Sequence, residues 1–183
     1  MTVGMIIALA LVVSIIFHIE KKIEEKSYPI KYYEEVDRLS REYGVPKNII
    51  FAVILTESSF DPNALSKTGA RGLMQIMPDT FADLQRRLGD EYDDDMLYDP
   101  EINMRYGTYY LSYLYDVFGD WEITFAAYNG GMGNVRKWLS DSRYSKDGKL
   151  VNIPFAETKT YVSKVSAAAE KYKEIINATE EEK

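Results

Sequence analysis

Apolar residues along the chain fall into two regimes. From Val3 to Ile19 the segment VGMIIALALVVSIIFHI runs 17 residues without a charge, and the charged stretch EKKIEEK follows directly. Further along, the apolar positions recur at helical spacing. Tyr32/Tyr33, Val36, Leu39 and Tyr43 mark an amphipathic helix that Gly44 stops. Pro46 is suited to the first helical position of PKNIIFAVILTESSF, a segment apolar almost all round, and Asp61-Pro62 ends it. Glu57 therefore falls in the last turns of a helix that is otherwise built for a core.

Asn63 to Gly72 reads as a loop, and Pro78-Asp79-Thr80 opens a helix through Phe81, Leu84 and Leu88. The acidic stretch from Gly89 to Asp99 reads as a loop. Asp99-Pro100 begins a helix whose Ile102, Tyr106, Tyr109/Tyr110, Tyr113/Leu114 and Val117 keep the period up to Gly119. Trp121 to Tyr128 is helical up to Asn129-Gly130-Gly131, Val135 to Leu139 is helical, Ser140 to Pro154 is a loop, and Ala156 to Ile176 is a closing helix. No convincing run of alternating strands and no repeat of roughly 20–50 residues occurs, so the expected class is all-α.

The uncharged N-terminal run sits at the lower limit for crossing a bilayer. It is read as a single transmembrane helix over residues 1–20, serving as an anchor or as an uncleaved signal. No Lys or Arg precedes the run, and Ala8-Leu9-Ala10 lies in mid-run where cleavage is implausible. Residues 21–31 read as a linker, 32–178 as the globular domain and 179–183 as a tail. Lys21, Lys22 and Lys26 follow the span and by the positive-inside rule favour a cytoplasmic C-terminus, which conflicts with an outward-facing domain.

Charge and composition narrow the chemistry. The net charge is −7 and no Lys/Arg-rich run occurs, so nucleic acid is not an expected partner. There are no cysteines, and the one histidine, His18, lies inside the N-terminal run. Thiolate nucleophiles, Cys or His zinc sites and a Ser-His-Asp triad in the globular part are thereby excluded. Asp90, Glu91, Asp93, Asp94 and Asp95 lack the spacing of a calcium loop and read as solvated. No metal and no cofactor are expected, and any hydrolytic chemistry must rest on carboxylates, Lys, Tyr or Ser.

Glu57 has two readings. It can mark the wet end of a core helix, or it can be a carboxyl whose pKa burial raises, as a general acid needs. The surrounding motifs favour the second. Glu57-Ser58, then GARGLMQIMPDT from Gly69 to Thr80, AYNGGMGNV from Ala127 to Val135 and IPFAETKTYV from Ile153 to Val162 stand in one order. Together with DPEINMRYGTYYL from Asp99 to Leu111, this series resembles the soluble-lytic-transglycosylase (SLT) family, relatives of goose-type lysozyme.

The resemblance implies a lysozyme-like helical domain that cuts peptidoglycan glycan strands without water. Glu57 would protonate the oxygen between N-acetylmuramic acid and N-acetylglucosamine. It would then take the proton of the muramyl 6-hydroxyl as a 1,6-anhydro ring closes. It further implies that Ser66, Gln75, Met77, Tyr128, Asn129, Glu157 and Tyr161 line the saccharide groove. Glu157 and Tyr161 stand one helical turn apart, and neither Trp121 nor Trp138 is assigned a sugar contact. The implied location is the cell membrane, single-pass, with the catalytic domain facing the wall. Two other readings stay open: a lysozyme-type muramidase in which water attacks, and a non-catalytic wall-binding protein that keeps the groove.

Overall fold

The structure, a computed structural model, describes residues 3–181, with the side chains of residues 3–10, 17, 20, 21 and 25 outside that description. It divides into two units, Met1–Lys31 and Tyr32–Lys183.

The first unit is one helix, α1 (Val3–Ser27). The charged stretch read as a linker is thus helical as far as Ser27. Among the described residues no helix is long and apolar enough to cross a membrane, so the transmembrane reading of residues 1–20 is not borne out by them. Of the uncharged run, the described side chains are those from Leu11 to Ile19 apart from residue 17, too few for a span of about 20 apolar residues. Met1, Thr2 and the side chains of residues 3–10, on which part of that reading falls, lie outside the described residues.

The second unit is mostly helical. α2 (Tyr33–Tyr43) ends at Gly44, whose φ of 69° makes the left-handed cap that glycine adopts most readily. α3 (Lys47–Ser58) starts one residue after Pro46, which caps it instead of forming its first turn. Every residue from Ile49 to Ile54 is buried, as an all-round apolar helix requires. α4 (Pro78–Leu88) and α5 (Pro100–Phe118) both carry proline in the first turn. The Asp99 side chain caps α5 by accepting from the Ile102 N–H at 3.0 Å. α6 (Trp121–Gly130) and α7 (Met132–Leu139) follow, and α8 (Ala156–Glu181) closes the chain.

α3 packs most extensively against α8, while α6 contacts α5, α7 and α8. Phe51 at the middle of α3 stacks on Tyr172 of α8 with ring centres 5.3 Å apart. α8 runs into the segment read as a tail, and Glu180 there pairs with Lys47 and accepts from the Tyr33 hydroxyl at 3.1 Å. Of that tail, only residues 182–183 lie outside the described part.

Two loops hold more order than their composition suggests. The segment from Ser140 to Pro154 contains a hairpin, β1 (Ser145–Lys146) with β2 (Lys149–Leu150). Its turn, Asp147-Gly148, has φ of 52° and 76°, the positive pair that a two-residue hairpin turn needs. The acidic loop contains a short 3-10 helix, Asp94–Tyr98. Its Asp90 is not simply solvated: it pairs with Arg105 at 2.9 Å and accepts from the Tyr106 hydroxyl at 2.7 Å.

Candidate active site

α3 delivers the site. Its last turn carries Glu57, and the chain then leaves the helix through Ser59 and Phe60, both in the left-handed region at φ of 52° and 65°. Two successive non-glycine residues in that region are uncommon and costly. They turn the chain sharply after Glu57, and Phe60 is buried against Phe51 with ring centres 6.3 Å apart.

Over the end of α3 lies the segment from Asn63 to Met77. It is a folded strip: the Arg71 and Ile76 N–H groups bond each other's carbonyls at 3.0 and 3.1 Å, and the Gly72 N–H reaches the Ala64 carbonyl at 2.9 Å. Ser58 fastens the strip to α3, its hydroxyl donating to the Leu73 carbonyl at 2.8 Å. Asn103, fully buried on α5, fastens it from the other side. Its Nδ2 donates to the Arg71 carbonyl at 2.9 Å and to the Leu97 carbonyl at 2.7 Å, and its Oδ1 accepts from the Met74 N–H at 2.7 Å.

Tyr128 of α6 completes the frame by donating its hydroxyl proton to the Met74 carbonyl at 2.8 Å. The Tyr110 ring of α5 packs on it at 5.2 Å. Tyr161, one turn after Glu157 on α8, is buried, and its hydroxyl has no hydrogen-bond partner at ordinary geometry. It lies near enough to Glu57 to act on that carboxyl as a donor.

The electrostatics follow from this enclosure. Burial disfavours the carboxylate and pushes the Glu57 pKa up to about 7, a nearby Tyr161 hydroxyl opposes the rise, and the charge of Glu157 adds to it. Burial also holds the Tyr128 and Tyr161 phenols well above their ordinary range, and the Glu57 charge reinforces both shifts. A carboxyl poised near neutrality can give a proton and take it back without leaving its accessible pH range.

Glu57, Tyr128, Tyr161 and Glu157 come together. The other residues implied by the sequence take supporting places. The Ser66 hydroxyl accepts from the Ala70 N–H at 2.9 Å and bonds Thr68 at 3.0 Å, neither of them a bond to Glu57. Gln75, at φ 48°, turns its side-chain N–H groups to the Ala64 and Gly72 carbonyls at 3.0 and 2.9 Å. Asn129 accepts from the buried Thr158 hydroxyl at 2.8 Å, tying α6 to α8. Met77 caps α4 and is exposed. Trp121 stacks on Tyr115 at 4.2 Å, and Trp138 meets Phe155 edge-on at 5.0 Å.

A cleft of about 890 Å³ lies at the acidic loop, lined by residues such as Gln85, Arg86, Gly89 and Tyr92. It shares no residue with the Glu57 cluster. Its charged walls include Asp90, which is already paired with Arg105 and Tyr106. Among the described residues no three His, Cys, Asp or Glu are grouped to hold a metal.

Residues 35–151 match the family described as the transglycosylase SLT domain. The chain belongs to that family. It is 35% identical over 161 residues to the soluble lytic murein transglycosylase of Salmonella typhimurium, covering 85% of this chain and 25% of that protein. It is 33% identical over 173 residues to the membrane-bound lytic murein transglycosylase C of Edwardsiella ictaluri, covering 79% and 47%. Among solved structures, an inactive mutant of the lytic transglycosylase Slt from Pseudomonas aeruginosa superposes with a TM-score of 0.75 at 36% identity, covering 82% of this chain and 25% of that one. The 70-kDa soluble lytic transglycosylase from Escherichia coli does so with a TM-score of 0.76 at 34% identity, covering 84% and 26%. The chain thus spans about a quarter of the length of the soluble relatives.

The SLT domain here depends on one residue that sequence reasoning did not single out. Asn103 shares a helix face with Gly107, Tyr110 and Leu114, and an amide amid such neighbours was the available signal. Asn103→Leu keeps the volume but takes away the partner of the Met74 N–H, the side-chain donor to the Leu97 carbonyl and one of the two donors to the Arg71 carbonyl, which costs about 3 kcal/mol. Urea melts are expected to show that loss; a difference under about 0.5 kcal/mol would mean that the strip is held by other contacts.

Proposed function

We propose that this chain is a peptidoglycan lytic transglycosylase, cleaving the MurNAc-(β1,4)-GlcNAc bond and leaving 1,6-anhydro-MurNAc ends. The observation that carries the reading is Glu57: a half-buried carboxyl whose pKa is pushed up to about 7, set near the half-buried Tyr128 and the buried Tyr161. In the first step its proton goes to the glycosidic oxygen, and the bond from that oxygen to the muramyl anomeric carbon breaks. In the second the muramyl 6-hydroxyl bonds to that carbon and its proton passes to the Glu57 carboxylate. The attack is intramolecular, so no ordered water or second carboxylate is required. The names of the relatives, and an inactive mutant among them, support the same reaction class.

Glu157 favours a second reading. Its carboxylate is exposed and its charge reaches Glu57, so a lysozyme-type muramidase would have a base for water at hand. Mass spectrometry of muropeptides from purified walls separates the two. Anhydro ends, lighter by one water, are expected, and reducing ends would overturn the transglycosylase reading in favour of hydrolysis. A wall left intact would instead favour a binding protein.

For location, the proposal puts the catalytic unit outside the cytoplasm, facing the wall, with the glycan strands as its partner. The substrate's place and the uncharged run from Val3 to Ile19 support this. At 17 uncharged residues the run is at the lower limit for crossing a bilayer.

A further inference from the structure

We propose that a groove at the opposite end of α3 from Glu57 is a second saccharide site, which takes a short run of uncharged N-acetylhexosamine units. The choice of a wall glycan as ligand rests on the transglycosylase reading.

Three clefts join to form the groove. The first, of about 530 Å³, lies between the first turn of α3, the start of α6 and the middle of α8, with Ile49, Trp121, Phe125 and Ser166 among its walls. The others, of about 450 and 330 Å³, continue it past Glu122 to the residues that follow β2. Glu122 lines all three, and Ser166 lines the first and the last. None includes Glu57, Tyr128, Glu157 or Tyr161. Asn48, at the α3 side, stands nine residues before Glu57, about 13 Å along the helix. Clefts of a few hundred Å³ with an apolar floor and a few placed polar groups are where small ligands bind.

The Ser166 hydroxyl points to a ligand. Its oxygen is buried and makes no hydrogen bond. On the same helix the Thr160 and Thr179 hydroxyls donate to the carbonyl four residues back, at 2.9 and 2.8 Å, the common recourse of a helical hydroxyl. Ser166 leaves that bond unmade, and a buried polar group without a partner is costly. Because Ser166 borders two of the clefts, a ligand hydroxyl or acetamido group in the groove supplies the missing partner.

Relief and charge select the class of ligand. In the first cleft the apolar Ile49, Phe125 and Ala169 are buried, while Glu122, Glu170 and Lys173 stand exposed at the rim. A protein partner would instead meet large apolar side chains standing proud of the surface. Across the three clefts Asp120, Glu122 and Glu170 are matched by Lys149, Lys159 and Lys173, an even balance in a chain of net charge −7. Such a balance attracts neither a polyanion nor a polycation. It suits a neutral ligand whose hydroxyls donate to carboxylates and accept from ammonium groups. Trp121 adds a fixed apolar wall: Asp120 caps its helix by accepting from the Ile123 N–H at 3.1 Å, and Tyr115 stacks on the indole at 4.2 Å. A pyranose ring, with apolar C–H faces between its hydroxyls, fits both kinds of wall. A strand of the wall held here keeps the catalytic unit at its surface between cuts, since tethering makes the next encounter intramolecular.

The test is a titration of the full chain carrying Glu57→Gln, so that the probe is not consumed, with the β1,4-linked tetramer of N-acetylglucosamine. The sequence has two tryptophans, Trp121 and Trp138, so a ¹H–¹⁵N spectrum holds two indole signals, and Trp121→Phe assigns them. The Trp121 signal is expected to move and to saturate at millimolar saccharide. Ser166→Ala breaks no hydrogen bond within the protein and is expected to raise the midpoint about 10-fold. A Trp121 signal that stays fixed, or a midpoint unchanged in Ser166→Ala, overturns the site. A signal that moves with a free stem tetrapeptide and not with the saccharide overturns the ligand class. Either failure leaves the transglycosylase reading standing, because muropeptide products decide that reading without reference to this groove.

Discussion

Glu57→Gln is expected to lose about 10³-fold or more in wall cleavage while gaining stability at alkaline pH. The amide keeps the size and polarity of the side chain but carries no proton that can be given and retaken, and a positioned acid–base group contributes on the order of 10²–10⁴. Because the proposed mechanism has one carboxyl serve both steps, the loss belongs at the upper part of that range. Release of soluble muropeptides from purified walls measures it, and clearing at the wild-type rate would show that another group is the acid. Wild-type activity itself is expected to fall as pH rises through about 7, where Glu57 loses its proton.

The stability half has a definite sign. The folded pKa of Glu57 is about 7 against an ordinary 4.5, so between those values the folded chain holds a proton that the unfolded chain has released. Its contribution to stability is fully present below 4.5 and is lost as pH rises through 7. The gap corresponds to a cost on the order of 3 kcal/mol for the buried carboxylate at pH 8, and glutamine does not incur it. Urea melts are expected to show the variant more stable than wild type at pH 8, with the difference closing near pH 4. A pH-independent difference would mean that the enclosure of Glu57 is not what sets its pKa.

Gly72→Ala is expected to be the most damaging substitution in the strip above α3. Gly72 sits at φ 75°, and an added Cβ would come within 2.2 Å of the Leu97 carbonyl oxygen and 2.3 Å of Asn103 Nδ2. The left-handed conformation alone costs alanine about 1–2 kcal/mol. The clash is with backbone and with an amide that already makes three bonds, so it cannot be relieved by swinging a side chain away, and overpacking of this kind adds about 3 kcal/mol. A total near 4–5 kcal/mol would leave little of an ordinary domain's stability. Circular-dichroism melts check this, and a variant within about 1 kcal/mol of wild type would show that the strip relaxes freely. Gly107→Ala is the milder relative: its Cβ would meet the Met74 side chain, 2.3 Å from Sδ, and a methionine can shift.

Much of the helical frame was legible because each helix carries its own punctuation. Gly44, Gly89 and Gly119 stand at the left-handed caps, and Pro78 and Pro100 open their helices. Glu57 was legible as a carboxyl in an apolar helix, although only its neighbours' motifs distinguished it from an exposed helix end. What the sequence left hidden was where side chains spend their hydrogen bonds. Ser66 and Gln75 stand where the family resemblance implies sugar contacts, yet Gln75 turns its donors to the strip's own backbone carbonyls, and the Ser66 hydroxyl accepts from the Ala70 N–H and bonds Thr68. Such local bonding depends on the backbone's path, which no periodicity reports. Asn103 was passed over because one amide in a helix gives no pattern until its three partners, distant in sequence, are folded round it. The hairpin at Asp147-Gly148 was missed for the opposite reason: two-residue strands are too short to show alternation, and only the turn dipeptide announced it.

The pairing of α3 with α8 has a kinetic consequence. The acid and the groups that tune it, Glu57 on one helix and Glu157 and Tyr161 on the other, ride on the two elements that share the most extensive packing in the second unit. Segments with dense apolar contacts open rarely and only together with the rest of a domain, whereas lids and surface loops breathe on their own. The Glu57 carboxyl therefore sits in slowly exchanging scaffold. Turnover in such a site would be paced by strand entry and release rather than by rearrangement of the acid.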